Sequence, residues 1–270
     1  MKKNLVLSLS ILFFIQLAAG QNQINYLPLN SCDPSADMDD LKSLDKYFTS
    51  TILVGMGEST HGTHEFFTMR HRVFKYLVLN HGFNTFFLEA DYSNCLRADR
   101  YINGAEDDLH KVTLSLGLWP WETEEMADLI SWMKEYNSGH DENKLSFIGC
   151  DMQQINTTID EIDRIIMAYD SDLVDTSNYV NISQEAFYKI NDWETLGRYK
   201  NIVKEKKALI NKLDFRGNDK YIYQTLTRHL DQIVEEKYNP KFYSFRDVKM
   251  AENILYHLEN NTEIKGFFWA

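Results

Sequence analysis

Thr51-Ile52-Leu53-Val54-Gly55-Met56-Gly57-Glu58-Ser59-Thr60-His61-Gly62 is the stretch on which the fold turns. Its first half is a short apolar run of the kind that forms a buried strand. Its second half sets a carboxylate and an imidazole three residues apart between two glycines, just before a long amphipathic segment. The pattern reads as strand, tight loop, helix. Open α/β sheets carry their chemistry at the C-terminal ends of parallel strands, and glycine lets a backbone turn sharply and approach a ligand closely. A plain strand-to-helix turn with one polar histidine would show the same residues, so the segments that follow decide the matter.

The helix that follows takes Thr63 as its N-cap and Glu65 in its first turn, and runs to about His81, where Gly82 stops it. Phe66, Phe67, Met69, Val73, Phe74, Leu77 and Val78 form one apolar stripe. At about 100° per residue, Arg70 falls near the centre of that stripe. A guanidinium on a buried face has to be paired, because an isolated charge there costs several kcal/mol, unless it snorkels to the edge. The next segment offers a partner: Asn84 to Leu88 is a second apolar strand with Glu89 at its end. A third strand, Leu145 to Gly149, ends in Cys150-Asp151. If the strands are parallel neighbours, Glu58, His61, Glu89 and Asp151 meet at one sheet edge, with Arg70 above it and Glu89 as its carboxylate. The expected fold is α/β, a mainly parallel sheet flanked by helices.

From about Ile155 to Asn260 the pattern is helical almost throughout, with Gly and Pro scarce. Helical spans fall at Asp160 to Tyr169, Ser183 to Leu213, Lys220 to Tyr238 and Arg246 to Asn260. Lys204-Glu205-Lys206-Lys207 reads as a solvated helix face, and His229 and His257 as surface or packing histidines. A fourth apolar strand, Ile264 to Ala270, follows, so the helical block is an insertion between the third and fourth strands and caps the sheet. Earlier, Tyr92 to Ile102 reads as a helix with Arg97 and Arg100 exposed, and Glu106 to Gly117 fits no single pattern. Thr123-Glu124-Glu125 opens a helix that turns Met126, Leu129, Ile130 and Met133 inward. Trp119 and Trp121, either side of Pro120, serve packing or wall an apolar substrate pocket.

Residues 1–20 carry Lys2-Lys3, an apolar run from Leu5 to Ala19 and a small-residue cleavage site at Ala18-Ala19-Gly20, the pattern of a signal peptide, which would place the mature protein in the periplasm or outside the cell. Residues 21–40 are a polar lead-in, with a loop at Asn30 to Pro34, and 41–270 form one domain. At 44% hydrophobic and 13% aromatic residues the chain is globular. Its formal charge is −12, and −14 without Lys2 and Lys3 (26 basic against 40 acidic residues). That balance disfavours nucleic acid and anionic membrane surfaces as partners. A small molecule is the expected partner, no stable membrane association is expected, and a monomer is favoured. Cys32, Cys95 and Cys150 allow at most one disulfide, and spacing does not say which. Cys150 ends a buried strand, where a free thiol behaves as a small hydrophobe rather than a nucleophile. Ser59 lacks the flanking residues of a nucleophile elbow.

With these segments in view, the chain resembles the erythromycin esterase family. The resemblance rests on Gly57-Glu58-Ser59-Thr60-His61-Gly62, Glu65-Phe66-Phe67, Arg70, Gly82-Phe83 and Glu89. It is supported by Leu118-Trp119-Pro120-Trp121, Trp132 through Asn137, Gly149 through Gln153, Arg246-Asp247 and Ala251-Glu252-Asn253. What it implies is a hydrolase that opens macrolide lactones or related esters without a cofactor. In that reading His61 is the general base that activates water, and Glu58, Arg70 and Glu89 are catalytic partners. Trp119, Trp121 and Asp151 are the candidate substrate-binding residues. The family places a His-Asn-x-His segment after the fourth strand and a further portion beyond it, so the chain reads as a fragment or as a natural truncation. Two other classes stay open. His61 and His64 with Glu58 and Glu89 form an acceptable ligand set for a divalent metal, although His64-Glu65-Phe66-Phe67-Thr68 is not a His-Glu-x-x-His helix. An inactive or binding fragment is the other.

Overall fold

The computed structural model describes residues 28–174, 187, 189, 190, 192–238 and 242–269. Strand β1 (Leu53–Met56) runs into the Glu58–His61 loop and then helix α1 (His64–His81). Gly82, at φ 70°, ends α1 in the left-handed conformation that glycine adopts without strain. Strand β2 (Thr85–Asp91) follows, and then α2 (Tyr92–Ile102), α3 (Leu109–Leu114) and α4 (Glu124–Ser138) lead to β3 (Ser146–Asp151). Asp108 caps the Leu109–Leu114 helix by accepting the Lys111 N–H at 3.1 Å, which resolves the unassigned stretch from 106 to 117. Thr123 caps α4 in the same way, accepting Met126 N–H at 3.2 Å.

The four strands among the described residues are all parallel, in the order β1-β4-β2-β3, where β4 is Gly266–Trp269. So β1 and β2 are not neighbours: β4 lies between them, with Met56 and Leu88 both level with Trp269. Side chains alternate across the pleat, and both faces of the sheet are covered. On one face Phe86 stacks between Phe147 and Phe267, at 5.3 and 5.7 Å, and meets Phe74 of α1 edge-on at 5.1 Å. On the other, Phe87 and Cys150 pack with Met250, Ile254 and Ile264. Burying each such aromatic stabilises the sheet by roughly 2–3 kcal/mol.

The insertion between β3 and β4 is helical: α5 (Ile155–Tyr169), α6 (Trp193–Ala208), α7 (Asp219–Glu236) and α8 (Phe242–Asn260). It encloses a second apolar cluster, which includes Ile162, Ile166, Tyr199, Leu226, Leu230 and Ile233. Within the span expected from Ser183, Phe187 is helical and α6 begins at Trp193, capped by Asp192; residues 183–186, 188 and 191 lie outside the described residues, as do residues 1–20 with the signal-peptide pattern. Several expectations are corrected in this region. Lys206 is buried and ion-paired with Asp163, so one residue of the supposed solvated charge run faces inward. Of the two readings of His229 and His257, packing is the one seen, since both are buried. Arg97 and Arg100 are only part-exposed, forked onto Asp107 and Glu161. All three cysteines are free. Burial pushes the Cys150 thiol well above its ordinary range, and the thiolate a nucleophile needs is suppressed there. Among the described residues no helix is long and apolar enough to cross a membrane.

Candidate active site

The loop after β1 closes through Gly62, whose φ of 84° suits glycine and strains any other residue. It sets Glu58 underneath and His61 outside: the Glu58 side chain is 3% exposed and that of His61 is 46%. Glu58 Oε1 is hydrogen-bonded to His61 Nδ1, and Oε2 accepts the Trp269 indole N–H at 3.2 Å. Because a carboxylate can only accept, the neutral ring must carry its proton on Nδ1, which leaves Nε2 as a lone pair. Two indoles flank the imidazole edge-on, each 6.1 Å away centre to centre. Trp121 is buried, whereas Trp119 is 70% exposed.

Arg70 is buried, as the helix stripe requires, but Glu89 is not its partner. Its nearest carboxylate is Glu58, 3.7 Å away. Three carbonyls take its other bonds: Met56 at 3.2 Å, Phe66 at 2.7 Å and Gly57. The guanidinium therefore ties the end of β1 to the first turns of α1 and sits behind Glu58, closed off from any ligand. The expectation failed because β4 separates β1 from β2, so the end of β2 is not adjacent to Arg70.

Glu89 belongs to a second cluster, at the ends of β2 and β3. Arg246 of α8 donates to Glu89 Oε1 at 2.7 Å and to both oxygens of Asp151, at 3.0 and 2.6 Å. Asp151 is fully buried, and Gln153 and its own neighbour's N–H also bond to it, so it braces Arg246 and does not face solvent. Next to it, burial and the Asp151 charge push the Asp91 carboxyl up to about 8. One Asp91 oxygen nevertheless accepts the Gln153 and Gln154 N–H groups, both at 2.6 Å. The two clusters are joined by Trp121, whose indole N–H donates to the Glu89 carbonyl at 3.1 Å while its ring packs on Trp269 at 5.3 Å.

His64 points elsewhere: its Nδ1 bonds Glu125 of α4 at 2.5 Å, and that contact raises its pKa. His61 and His64 thus lean on different carboxylates and do not converge. Among the described residues no group of three or more His, Cys, Asp or Glu side chains is placed to hold a metal. Sequence reasoning missed Arg246 and Trp269 as site residues. Arg246 lies near the start of α8, 157 positions from Glu89, and nothing in its local pattern marks its partner.

The family model for erythromycin esterase matches residues 78–270, most of the chain and all of the Glu89–Asp151–Arg246 cluster. The protein belongs to the erythromycin esterase family. The loop with Glu58 and His61 precedes the matched segment, but alignment with an erythromycin esterase type II from Escherichia coli extends over 87% of this chain at 25% identity. Among solved structures, a Bacillus cereus protein shares 28% identity over 90% of this chain, with a TM-score of 0.69. A mutant of the erythromycin esterase EreC in its open conformation, 19% identical over 88% of the chain with a TM-score of 0.68, shares the fold. The chain spans about 63% of the length of the Escherichia coli esterase, 62% of the Bacillus cereus protein and 65% of EreC.

Proposed function

We propose that the whole protein is an exported, metal-independent hydrolase of a macrolide-type lactone or a related carboxylic ester, with His61 as general base. The observation that carries this reading is the Glu58–His61 pair: a buried carboxylate fixes the tautomer of a half-exposed ring whose Nε2 is left to act on water. Family membership supplies the ester class. In the first step Nε2 takes a proton from water as the water oxygen bonds to the acyl carbon, and the carbonyl π electrons move to its oxygen. Glu58 stabilises the imidazolium that forms. The tetrahedral species then collapses, the carbon–oxygen bond to the alcohol breaks, and the leaving alkoxide takes the proton from Nε2. Arg70 and Trp269 act as positioning residues through Glu58. The exposed Trp119 offers an apolar face beside the base.

With an activated aryl ester and a macrolide lactone as probes of the whole protein, His61→Ala lowers kcat by at least about a hundredfold with little change in melting temperature. His64→Ala, which loses a surface contact to Glu125, changes it little. Equal, severe losses at both histidines that added zinc restores would overturn the metal-free mechanism. Full activity in His61→Ala would remove the general base altogether.

A further inference from the structure

At the end of the sheet opposite Glu58, Glu89 and Asp151 lies a cavity of about 550 Å³, bounded by the starts of β2 and β3, the lead-in to β4 and helices α2, α7 and α8. Its volume falls within the range of small-molecule sites, about 300–1,000 Å³. The proposed hydrolytic site does not use it. His257 of α8 is among its lining residues. That residue is fully buried, with its Nδ1 bonded to the Tyr221 hydroxyl at 2.5 Å and its Nε2 without a partner. Burial holds the ring neutral, with its pKa down at about 3. A neutral imidazole offers one donor and one acceptor. The ring is therefore a neutral part of the wall, and the Tyr221 hydroxyl bonded to it suits a ligand that can both donate and accept.

The rest of the lining asks for the same chemistry. Asp99 spends one oxygen on the Phe147 N–H, at 2.9 Å, and keeps the other as an acceptor. The side-chain amides of Asn143 and Asn218, at the mouth, make no hydrogen bond among the described residues. Tyr221, which stacks flat on Tyr256 at 5.8 Å, gives the wall an aromatic face. Lys144 stands alone against the carboxylates of Asp99 and Glu263, so the wall does not favour a phosphate or carboxylate ligand. The amides and the carboxylate equally disfavour an apolar one.

We propose that this cavity is a second binding site, separate from the hydrolytic one, for a neutral polyhydroxylated ligand of the sugar class. Amide and carboxylate groups bond its hydroxyls. The test is saturation-transfer NMR on the full chain with methyl β-D-glucopyranoside as the probe. The wild type transfers saturation to the sugar ring protons. Asn218→Trp, an exposed rim substitution that fills the mouth without touching the core, reduces the effect by about tenfold, the loss of roughly 1.4 kcal/mol of binding. His61→Ala leaves it unchanged, which separates this site from the Glu58 loop whether or not that loop proves catalytic. No transfer in the wild type, transfer that survives Asn218→Trp, or stronger transfer to glucuronate than to the neutral glycoside would overturn the proposal.

Discussion

Arg70 shows how a buried charge can organise a loop without touching a ligand. Its fork satisfies the carbonyls of Met56, Gly57 and Phe66 while its charge faces Glu58, so every strong contact it makes bears on the placement of the His61 partner. Arg70→Met strands the two loop carbonyls and the Glu58 carboxylate, and is expected to cost at least about 2 kcal/mol. Arg70→Lys does not restore this, since an ammonium cannot span the fork. Glu89→Gln is milder, because Arg246 keeps both Asp151 oxygens. Thermal melts that rank Glu89→Gln below Arg70→Met would overturn this ordering. A second residue-scale effect concerns acid. His71 is buried against Trp132 with its Nε2 unpartnered, and burial lowers its pKa to about 4. As pH falls below about 6.5 the unfolded chain binds a proton there, whereas the folded chain does not until about 4. Stability is therefore lost across that window, by up to about 3 kcal/mol from this one ring. His71→Phe keeps the aromatic packing, and denaturant melts from pH 7 to pH 4 are expected to show a shallower loss than in wild type. An unchanged slope would mean that the ring is hydrated in the native state.

At the level of elements, the sheet explains both what the sequence disclosed and what it withheld. Strand ends were legible because each apolar run stops at a polar group, and α1 was legible because its stripe, cap and Gly82 agree; so the fold class and the edge that gathers Glu58, His61, Glu89 and Asp151 followed. Strand order was not, because β4 reaches its place only after the helical insertion, and no local pattern says that it enters between β1 and β2. The wrong neighbour then gave Arg70 the wrong carboxylate. Lys206 escaped for a related reason: its inward partner, Asp163, is on a separate helix. Gly149 is a position where the sheet makes a sharper demand. A methyl group there would lie 2.4 and 2.5 Å from the carbonyl oxygens of Ala90 and Asp91, where the β2–β3 register shifts. These are backbone atoms and cannot swing aside. Gly266 would instead meet the Phe87 ring at 2.6 Å, a side chain with some freedom. Gly149→Ala is expected to destabilise by about 2 kcal/mol or more, and by more than Gly266→Ala. Equal melting temperatures would show that the bulge relaxes.

Over the whole molecule, one sheet separates the two larger of three apolar clusters, and few polar ties hold the cap to the sheet's functional edge. Phe67, Phe74, Phe86 and Trp269 belong to the cluster on the α1 side, whereas α5, α6 and α7 enclose the other. Among the described residues, the contacts that cross between cap and sheet end include Arg246 to Asp151 and Glu89, His229 to the Asp151 carbonyl at 3.1 Å, and Asn253 to the Cys150 carbonyl at 3.0 Å. Asn253 is the hub. It is fully buried, donates to Cys150 and Gln232, and accepts from Gln232 and Arg228, which uses all four of its hydrogen-bonding valences. Asn253→Leu has nearly the same volume but strands the Cys150 carbonyl and the Gln232 amide, at a cost of about 2–4 kcal/mol. Because that loss falls between the clusters and not within either, it loosens the cap first. Hydrogen exchange is expected to rise in α7 and α8 while α1 and β2 keep their protection, since sub-global opening follows such units. A uniform rise across α1, β2, α7 and α8 would show instead that sheet and cap open as one, with the polar ties shared by a single cooperative core.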